Sequence, residues 1–191
     1  VEGFTDTMNR GGVIPPRIAI DAKEFPGGEK GALAHYVGYR KTIEINPKSP
    51  HWERDTAEQQ YQRFTERWSS TPNPNSTFFH ETGHYLHDVN IRNSGNYVKR
   101  SVRDTDAWMF ESWRDTAQTV SAYAAKSPKE FVAEVYAGHL DGRRYSRDVE
   151  SLYRTLGGPE VRMPKPATGA GALGPGNALP LPDMNPPGDW G

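Results

Sequence analysis

The sequence predicts an α+β protein in which short strands precede a run of helices. Three short segments, residues 17–21, 32–37 and 42–46, have the apolar and β-branched composition of strands. From residue 52 onward the pattern changes, and apolar residues recur every three or four positions, as they do on one face of a helix. Strands followed by helices are typical of the α+β class.

The N-terminal half contains the predicted strands. Residues 1–16 are rich in glycine, proline and polar residues, and we expect an extended arm there. The strand at 17–21 follows the arm. A turn around Gly38 then joins the strands at 32–37 and 42–46.

Five helices are predicted after the strands, and each has a start or stop signal or an apolar face. They span residues 52–69, 77–89, 105–119, 128–140 and 146–156. The first is amphipathic, and its apolar face consists of Ala57, Tyr61, Phe64 and Trp68. Asn75 or Ser76 can cap the second helix, Ser127 the fourth and Ser146 the fifth.

The composition changes sharply at Gly157. Residues 157–191 hold eight of the 16 prolines and are otherwise rich in glycine and alanine. This pattern predicts a linker, or a tail that lies extended on another surface such as a neighbouring chain. The predicted division is therefore an arm at 1–16, a folded domain at 17–156 and a tail at 157–191.

Composition excludes several classes of function. The 191 residues carry a formal net charge of −1, so we expect no nucleic-acid partner. No apolar run approaches the roughly 20 residues that span a bilayer, so we expect no membrane insertion. The chain has no cysteine, which excludes disulfides and thiolate ligands. This composition suits a cytosolic protein, and equally a toxin domain that unfolds to cross a membrane. Because the chain begins at Val1, we expect a fragment or a processed product.

A five-residue motif in the second helix points to metal chemistry. The motif is His80-Glu-Thr-Gly-His84, which has the form H-E-x-x-H. Residues four apart lie one turn apart on the same helix face, so both imidazoles can bind one metal ion. Glu81 lies beside them and can act as general base on a metal-bound water. The alternative is a polar surface helix, but apolar residues around the motif and Gly83 within it indicate close packing.

A hydrolytic zinc site needs three protein ligands, and the sequence leaves the third one open. Glu130 and Glu134 are four apart on one helix, so either can face the site. Glu130 also fits a capping box with Ser127, which would explain this carboxylate without a metal. Spacing alone divides the role evenly between the two glutamates. Glu111 and His87 are weaker candidates.

These motifs together resemble a known family. The segments are His80-Glu-Thr-Gly-His84, Ser121-Ala-Tyr123 and Glu130-Phe-Val-Ala-Glu134. In this order and spacing they are similar to the metallopeptidase domain of the anthrax lethal factor family. That family is a zincin-like group of bacterial toxins, effectors and phage-associated proteins. The resemblance covers about residues 30–140, and Val132 departs from it where the family often has an aromatic residue.

The resemblance implies a role for each matching residue. His80, His84 and Glu130 would bind zinc, and Glu81 would be the general base. Tyr123 would donate a hydrogen bond to the oxyanion, whereas the residues alone favour a core tyrosine with a satisfied hydroxyl. Glu134, one turn after Glu130, would orient a ligand histidine.

The resemblance also implies a fold and an activity. The fold would be zincin-like, with a small mixed sheet, an edge strand over the motif helix and a C-terminal helix that gives the third ligand. The activity would be that of a zinc-dependent endopeptidase acting on a protein or peptide. The strand at 32–37 is the candidate to pair with an extended substrate.

Two other functions remain open at this point. One is a structural component of a virion or secretion system that keeps the fold with little or no proteolysis, which the tail at 157–191 fits. The other is a toxin module whose specificity lies in domains upstream. We expect a protein that is secreted, translocated into a target cell or virion-associated. An intact Glu81 favours the enzyme, because a purely structural metal site has no need of a base.

Overall fold

The computed structural model describes residues 2–10, 12–13, 17–20, 32–49, 56–91 and 111–161. The described residues form six helices and three strands, which confirms the α+β class. The helices are α1 Glu2–Asn9, α2 Thr56–Thr65, α3 Ser76–Asn90, α4 Glu111–Gln118, α5 Pro128–Leu140 and α6 Arg147–Thr155. The strands are β1 Arg17–Ile20, β2 Ala34–Val37 and β3 Thr42–Ile45.

The three strands form a small mixed sheet in the order β1-β3-β2. Strand β3 pairs in parallel with β1 and antiparallel with β2, so β2 is an edge strand. On one face of the sheet, Ile43 is fully buried and packs with Ala34, Phe4 and Phe78. The sheet therefore lies on α3, the helix that carries the H-E-x-x-H motif, and β2 contacts that helix directly.

The main core lies between α3 and α5. Its fully buried residues include Phe79 from α3 and Phe131, Val132 and Val135 from α5. The helices approach closely at Gly83, where an added Cβ would lie 3.0 Å from the Cα of Ala133. This contact confirms that Gly83 marks close packing, and it fixes the register of α5 against α3.

The expectation of an extended arm at residues 1–16 is wrong for Glu2–Asn9, which is helical. Phe4 packs its ring edge-on against Phe78 at a centroid distance of 4.9 Å. Arg10 bridges Asp6, at 2.9 Å, and Asp141 after α5, at 3.1 Å. These contacts with α3 and α5 stabilise a helix that the glycine and proline content of the whole segment did not suggest.

Helix α2 lies within the predicted range of 52–69, but it ends at Thr65, before Trp68, and it buries a different residue. Tyr61, assigned to its apolar face, is 58% exposed, and Ala57 is exposed as well. Gln60 is buried instead, because its amide Nε2 donates to the Ser69 hydroxyl and to the Thr71 carbonyl, each at 2.7 Å. Hydrogen bonding to the segment after the helix, and not apolar periodicity, sets the orientation of α2.

The predicted caps were correct at two helices and wrong at one. The hydroxyls of Ser127 and Ser146 accept from the backbone N–H three residues later. At α3 the N-cap residue is Asn75, but its side chain does not cap the helix and donates instead to Asp6 at 3.0 Å.

Several predicted features lie outside the described residues. They are the first part of the helix expected at 105–119 and most of the tail, residues 162–191. Within the described ranges, none of the helices has the length and hydropathy needed to cross a membrane.

Candidate metal centre

Helix α3 brings the two motif histidines together on one face. Their rings lie edge to face with centroids 4.7 Å apart, and both side chains are mostly buried. Glu130, in the first turn of α5, completes the group. Its Oε2 lies 3.0 Å from Nε2 of His80 and 3.3 Å from Nε2 of His84. Three donor atoms from two helices thus converge on one point.

The spacing of these donors suits a small metal ion. Ligands about 2.0–2.2 Å from a tetrahedral metal lie roughly 3.3 Å from one another. The distances from Glu130 to the two imidazole nitrogens are close to this value, so His80, His84 and Glu130 could hold a metal ion. Glu130 and the two histidines are the three residues that the resemblance assigns to the metal.

The competing explanation for Glu130, a capping box, is only half formed. Ser127 caps α5 through its own hydroxyl, which accepts from the Glu130 N–H at 3.3 Å. The Glu130 carboxylate turns the other way, toward the histidines. The helix start therefore does not depend on this carboxylate, which leaves it available to the site.

Glu134 lies one turn further along α5 and meets the other nitrogen of the same imidazole. Its Oε1 is 2.9 Å from Nδ1 of His80. A neutral imidazole carries one N–H, so a proton held at Nδ1 by Glu134 leaves the Nε2 lone pair directed at the donor cluster. The contact has the geometry expected if Glu134 orients His80, the role that the resemblance implies.

Glu134 is itself held by groups that the sequence reasoning did not assign. Its Oε2 accepts from the Ser70 N–H at 2.7 Å and from the Ser121 hydroxyl at 2.9 Å. The hydroxyl of Ser70 also donates to the Glu134 carbonyl at 2.7 Å. A buried carboxylate with this many donors is fixed in position and compensated for its desolvation. Ser121 lies in the Ser-Ala-Tyr segment, so its presence there was a usable signal, whereas Ser70 had none.

The electrostatics of the cluster follow from burial and from the facing charges. Burial alone would raise the pKa of Glu130, but the imidazoles of His84 and His80 hold it well below its usual range. Burial alone would lower the pKa of His80, but the carboxylates of Glu130 and Glu134 raise it well above its usual range. Without a metal, the charged forms of His80 and Glu130 therefore stabilise each other.

Glu81 and Tyr123 lie at the cleft beside this cluster. Both line a cleft of about 560 Å³ and a second one of about 300 Å³, which also share His80. Burial raises the pKa of Glu81, and the nearby imidazoles and a backbone hydrogen bond of Tyr36 only partly offset it. Tyr123 is partly exposed, with its ring 5.5 Å from that of His80.

A small aromatic cluster supports Tyr123 on its other side. The Trp68 ring lies edge-on to Tyr123 at 5.8 Å. The ammonium group of Lys126 lies 4.4 Å from the centre of the Tyr123 ring and 4.6 Å from that of Trp68. Tyr123 is thus neither a fully buried core residue nor a loose surface one.

Of the two weaker ligand candidates, His87 lies away from the cluster. His87 is buried on another face of α3, where its Nε2 lies 2.9 Å from the Leu156 carbonyl. The backbone of Glu111 begins α4, and its side chain lies outside the described part of the structure. Among the candidates whose side chains the structure describes, Glu130 and Glu134 are the two that meet the histidines.

Comparisons with known proteins give no independent assignment. No family model, no curated protein and no solved structure matches this chain. The geometry of the site and the sequence motifs therefore carry the functional argument.

Proposed function

We propose that this protein is a zinc-dependent endopeptidase that hydrolyses a peptide bond in a protein or peptide, as a toxin, effector or phage-associated domain. The observation that carries the proposal is the convergence of Glu130 on the Nε2 atoms of His80 and His84, with Glu81 at the adjoining cleft. A purely structural metal site would need only the three ligands and not Glu81.

The chemistry of the donors favours zinc. Two imidazole nitrogens and one carboxylate oxygen form the His₂Glu set of several zinc hydrolases, whereas Mg²⁺ and Ca²⁺ prefer oxygen ligands alone. Glu134 supports the fit, because its carboxylate faces Nδ1 of His80 and favours a proton at that nitrogen. Zinc bound there would act as a Lewis acid and lower the pKa of a bound water toward about 7.

Glu81 would serve as the proton carrier. Its carboxylate takes a proton as water attacks the peptide carbonyl and then gives that proton to the leaving amine. A general base must be ionised, and its pKa must be high enough for it to take up a proton readily. The burial that raises the pKa of Glu81 supports this role.

Tyr123 would stabilise the oxyanion. As the carbonyl carbon becomes tetrahedral, its oxygen gains negative charge, which a hydroxyl donor can stabilise. The position of Tyr123 beside His80 and at the cleft supports this assignment.

The edge strand supports a peptide as substrate. The Asn46 N–H donates to the Leu33 carbonyl at 2.9 Å, which marks these two residues as a hydrogen-bonded pair of the antiparallel ladder. Such pairs alternate along the ladder, so the backbone groups of Ala34 and Tyr36 point away from β3, and the backbone of Tyr36 already hydrogen-bonds Glu81 there. Both residues line the smaller cleft. An extended peptide could therefore add to this edge as a further strand.

The test compares the wild type with Glu81→Gln, which preserves shape and removes the base. Both proteins should bind about one zinc per chain, while peptide cleavage by the variant should fall by ~10²–10⁴-fold. Glu150→Gln is a matched control, because Glu150 also faces a histidine, His139 at 3.3 Å, but in another part of the chain.

Two outcomes would reject the proposal. Unchanged cleavage by Glu81→Gln would exclude this residue as the base. A zinc-loaded wild type that cleaves nothing in a diverse peptide library would favour the alternative, a structural component that retains the metal site.

A further inference from the structure

A second buried carboxylate on α3, Asp88, lies outside the proposed chemistry. It is one turn beyond His84 and fully buried. Its Oδ2 accepts from the Tyr36 hydroxyl at 2.6 Å and lies 2.8 Å from Nζ of Lys41. Both partners come from the β2–β3 hairpin, so Asp88 ties the motif helix to that hairpin.

The two partners hold the hairpin on both sides of its turn. Tyr36 belongs to β2, and Lys41 follows the short 3-10 segment Gly38–Arg40 and directly precedes β3. Lys41 has a backbone φ of 51°, in the left-handed region that non-glycine residues seldom adopt. The turn therefore takes a costly conformation in which the Lys41 ammonium reaches Asp88.

Stability alone gives a weak reason for this arrangement. The other oxygen of Asp88, Oδ1, is buried without a hydrogen-bond partner among the described residues. A buried carboxylate that is only partly satisfied stabilises a fold poorly compared with apolar packing. Its geometric effect, a fixed distance between the hairpin and α3, is the stronger explanation.

Tyr36 links Asp88 to the proposed active site. Its hydroxyl donates to Asp88, and it forms a backbone hydrogen bond with Glu81. Glu81 and Asp88 are seven residues apart, so they lie two turns apart on one face of α3. The strand that would receive the substrate is thus attached to α3 at two points.

We propose that Asp88 is a positioning residue, which through Tyr36 and Lys41 fixes the β2 edge over α3 and so sets how an extended peptide binds beside the metal centre. The effect of Asp88 on peptide binding rests on the proposed function. Its effect on the position of β2 does not, so the two effects can be tested separately.

The first test measures hydrogen exchange of the β2 amides in the full, zinc-loaded chain. Tyr36→Phe keeps the ring and removes the hydroxyl, while Asp88→Asn removes the charge at nearly constant shape. Each should speed exchange at residues 34–37 by about tenfold or more, since a hydrogen bond to a charged group is lost. Zinc content and exchange in α5 should stay unchanged.

Tyr153→Phe is the matched control for this experiment. It also removes one tyrosine hydroxyl bond, from Tyr153 to the Pro159 carbonyl at 2.7 Å, at the other end of the core. It should leave β2 exchange unchanged. If Asp88→Asn fails to fold, the milder Tyr36→Phe decides the matter. Exchange in β2 that matches the wild type in Tyr36→Phe, or that rises equally in Tyr153→Phe, would overturn the proposal.

The second test is kinetic and uses the same variants. Tyr36→Phe and Asp88→Asn should each raise KM for an extended peptide about tenfold and change kcat less, because peptide binding is weakened while the metal and the base remain. The double variant, with Tyr36→Phe and Asp88→Asn together, should have a KM no higher than that of Asp88→Asn alone, since both changes break the same contact. If Tyr153→Phe changed kcat and KM as much as the two test variants did, the cause would be general stability, and the positioning role would be rejected. A wild type without peptidase activity would reject the proposed function, while the exchange result would still decide whether Asp88 holds the strand.

Discussion

Oε1 of Glu134 lies 2.9 Å from Nδ1 of His80, while Oε2 of Glu130 lies 3.0 Å from Nε2 of the same ring. One imidazole thus has a carboxylate at each nitrogen, and both carboxylates come from consecutive turns of α5. Only the Nε2 side is shared with His84. The two glutamates should therefore differ in function, one at the metal and one behind the ligand.

The first prediction separates these two roles. Glu130→Ala should abolish tight zinc binding, because it removes a ligand. Glu134→Ala should weaken zinc binding by ~10–100-fold, the usual effect of losing a group that orients a ligand. Zinc affinity is measured by competition with a chelator, with Glu150→Ala as the control at a different histidine. The opposite ranking of the two variants would make Glu134 the ligand.

The second prediction concerns Tyr123. Tyr123→Phe should retain zinc and the fold, because the ring contacts with His80 and Trp68 remain. Its kcat should fall by ~10²–10³-fold, as for loss of one oxyanion donor. Tyr61→Phe, at an exposed tyrosine of α2, is the control. Normal turnover by Tyr123→Phe would return this residue to a packing role.

The third prediction tests the contact between the two site helices. In Gly83→Ala the new methyl group would lie 3.0 Å from the Ala133 Cα and 3.2 Å from the Tyr136 Cβ. Overpacking of this kind costs about 1–3 kcal/mol, which exceeds the helix propensity gained. Because α5 must shift, zinc affinity should fall as well, which a chelator competition would show.

Gly142→Ala is the control for this helix contact. Gly142 has a φ of 81° and no neighbouring atom within 4 Å of an added Cβ, so alanine there strains the backbone without moving α5. It should lower the free energy of unfolding but leave zinc affinity intact. A Gly83→Ala protein with normal zinc affinity would show that α5 can move without disturbing the site.

The fourth prediction concerns the stability of the metal-free protein against pH. The folded pKa of Glu130 lies below its ordinary value of 4.5, so its contribution is present above about pH 4.5 and is lost as the pH falls. The folded pKa of His80 lies above its ordinary value of 6.5, so its contribution is present below about pH 6.5 and is lost as the pH rises. The stripped protein should therefore gain most from the cluster between these values.

Urea unfolding across a pH series, with chelator or with zinc, measures this effect. With zinc bound, the loss above pH 6.5 should disappear, because the metal replaces the proton between the two side chains. A stripped protein whose stability is flat from pH 6 to pH 9 would contradict the coupling of His80 and Glu130. Glu130→Gln should weaken the pH dependence on both sides.

Local patterns predicted much of this structure correctly. The strands at 32–37 and 42–46, the motif helix and the Ser127 cap depend on nearby residues, and each was found. The helix Glu2–Asn9 was missed, because contacts with distant helices stabilise it. The buried face of α2 was assigned wrongly, because hydrogen bonds of Gln60 outweigh the apolar periodicity.

The contact between Asp88 and Tyr36 was also missed, although a signal existed. Asp88 is a carboxylate within the motif helix, and a carboxylate requires a partner once it is buried. Nothing local identifies that partner, because Tyr36 is 52 positions away and its distance is set by how the sheet packs on α3.

The sequence by itself determined that His80 and His84 lie one turn apart on one helix with Glu81 beside them, since spacing along a helix is fixed by backbone geometry. It also determined that a third donor had to be a histidine or a carboxylate, since the chain has no cysteine. The choice between Glu130 and Glu134 belonged to the tertiary structure. Both face α3, and only the helix register set at Gly83 directs Glu130 to the Nε2 atoms and Glu134 to Nδ1 of His80.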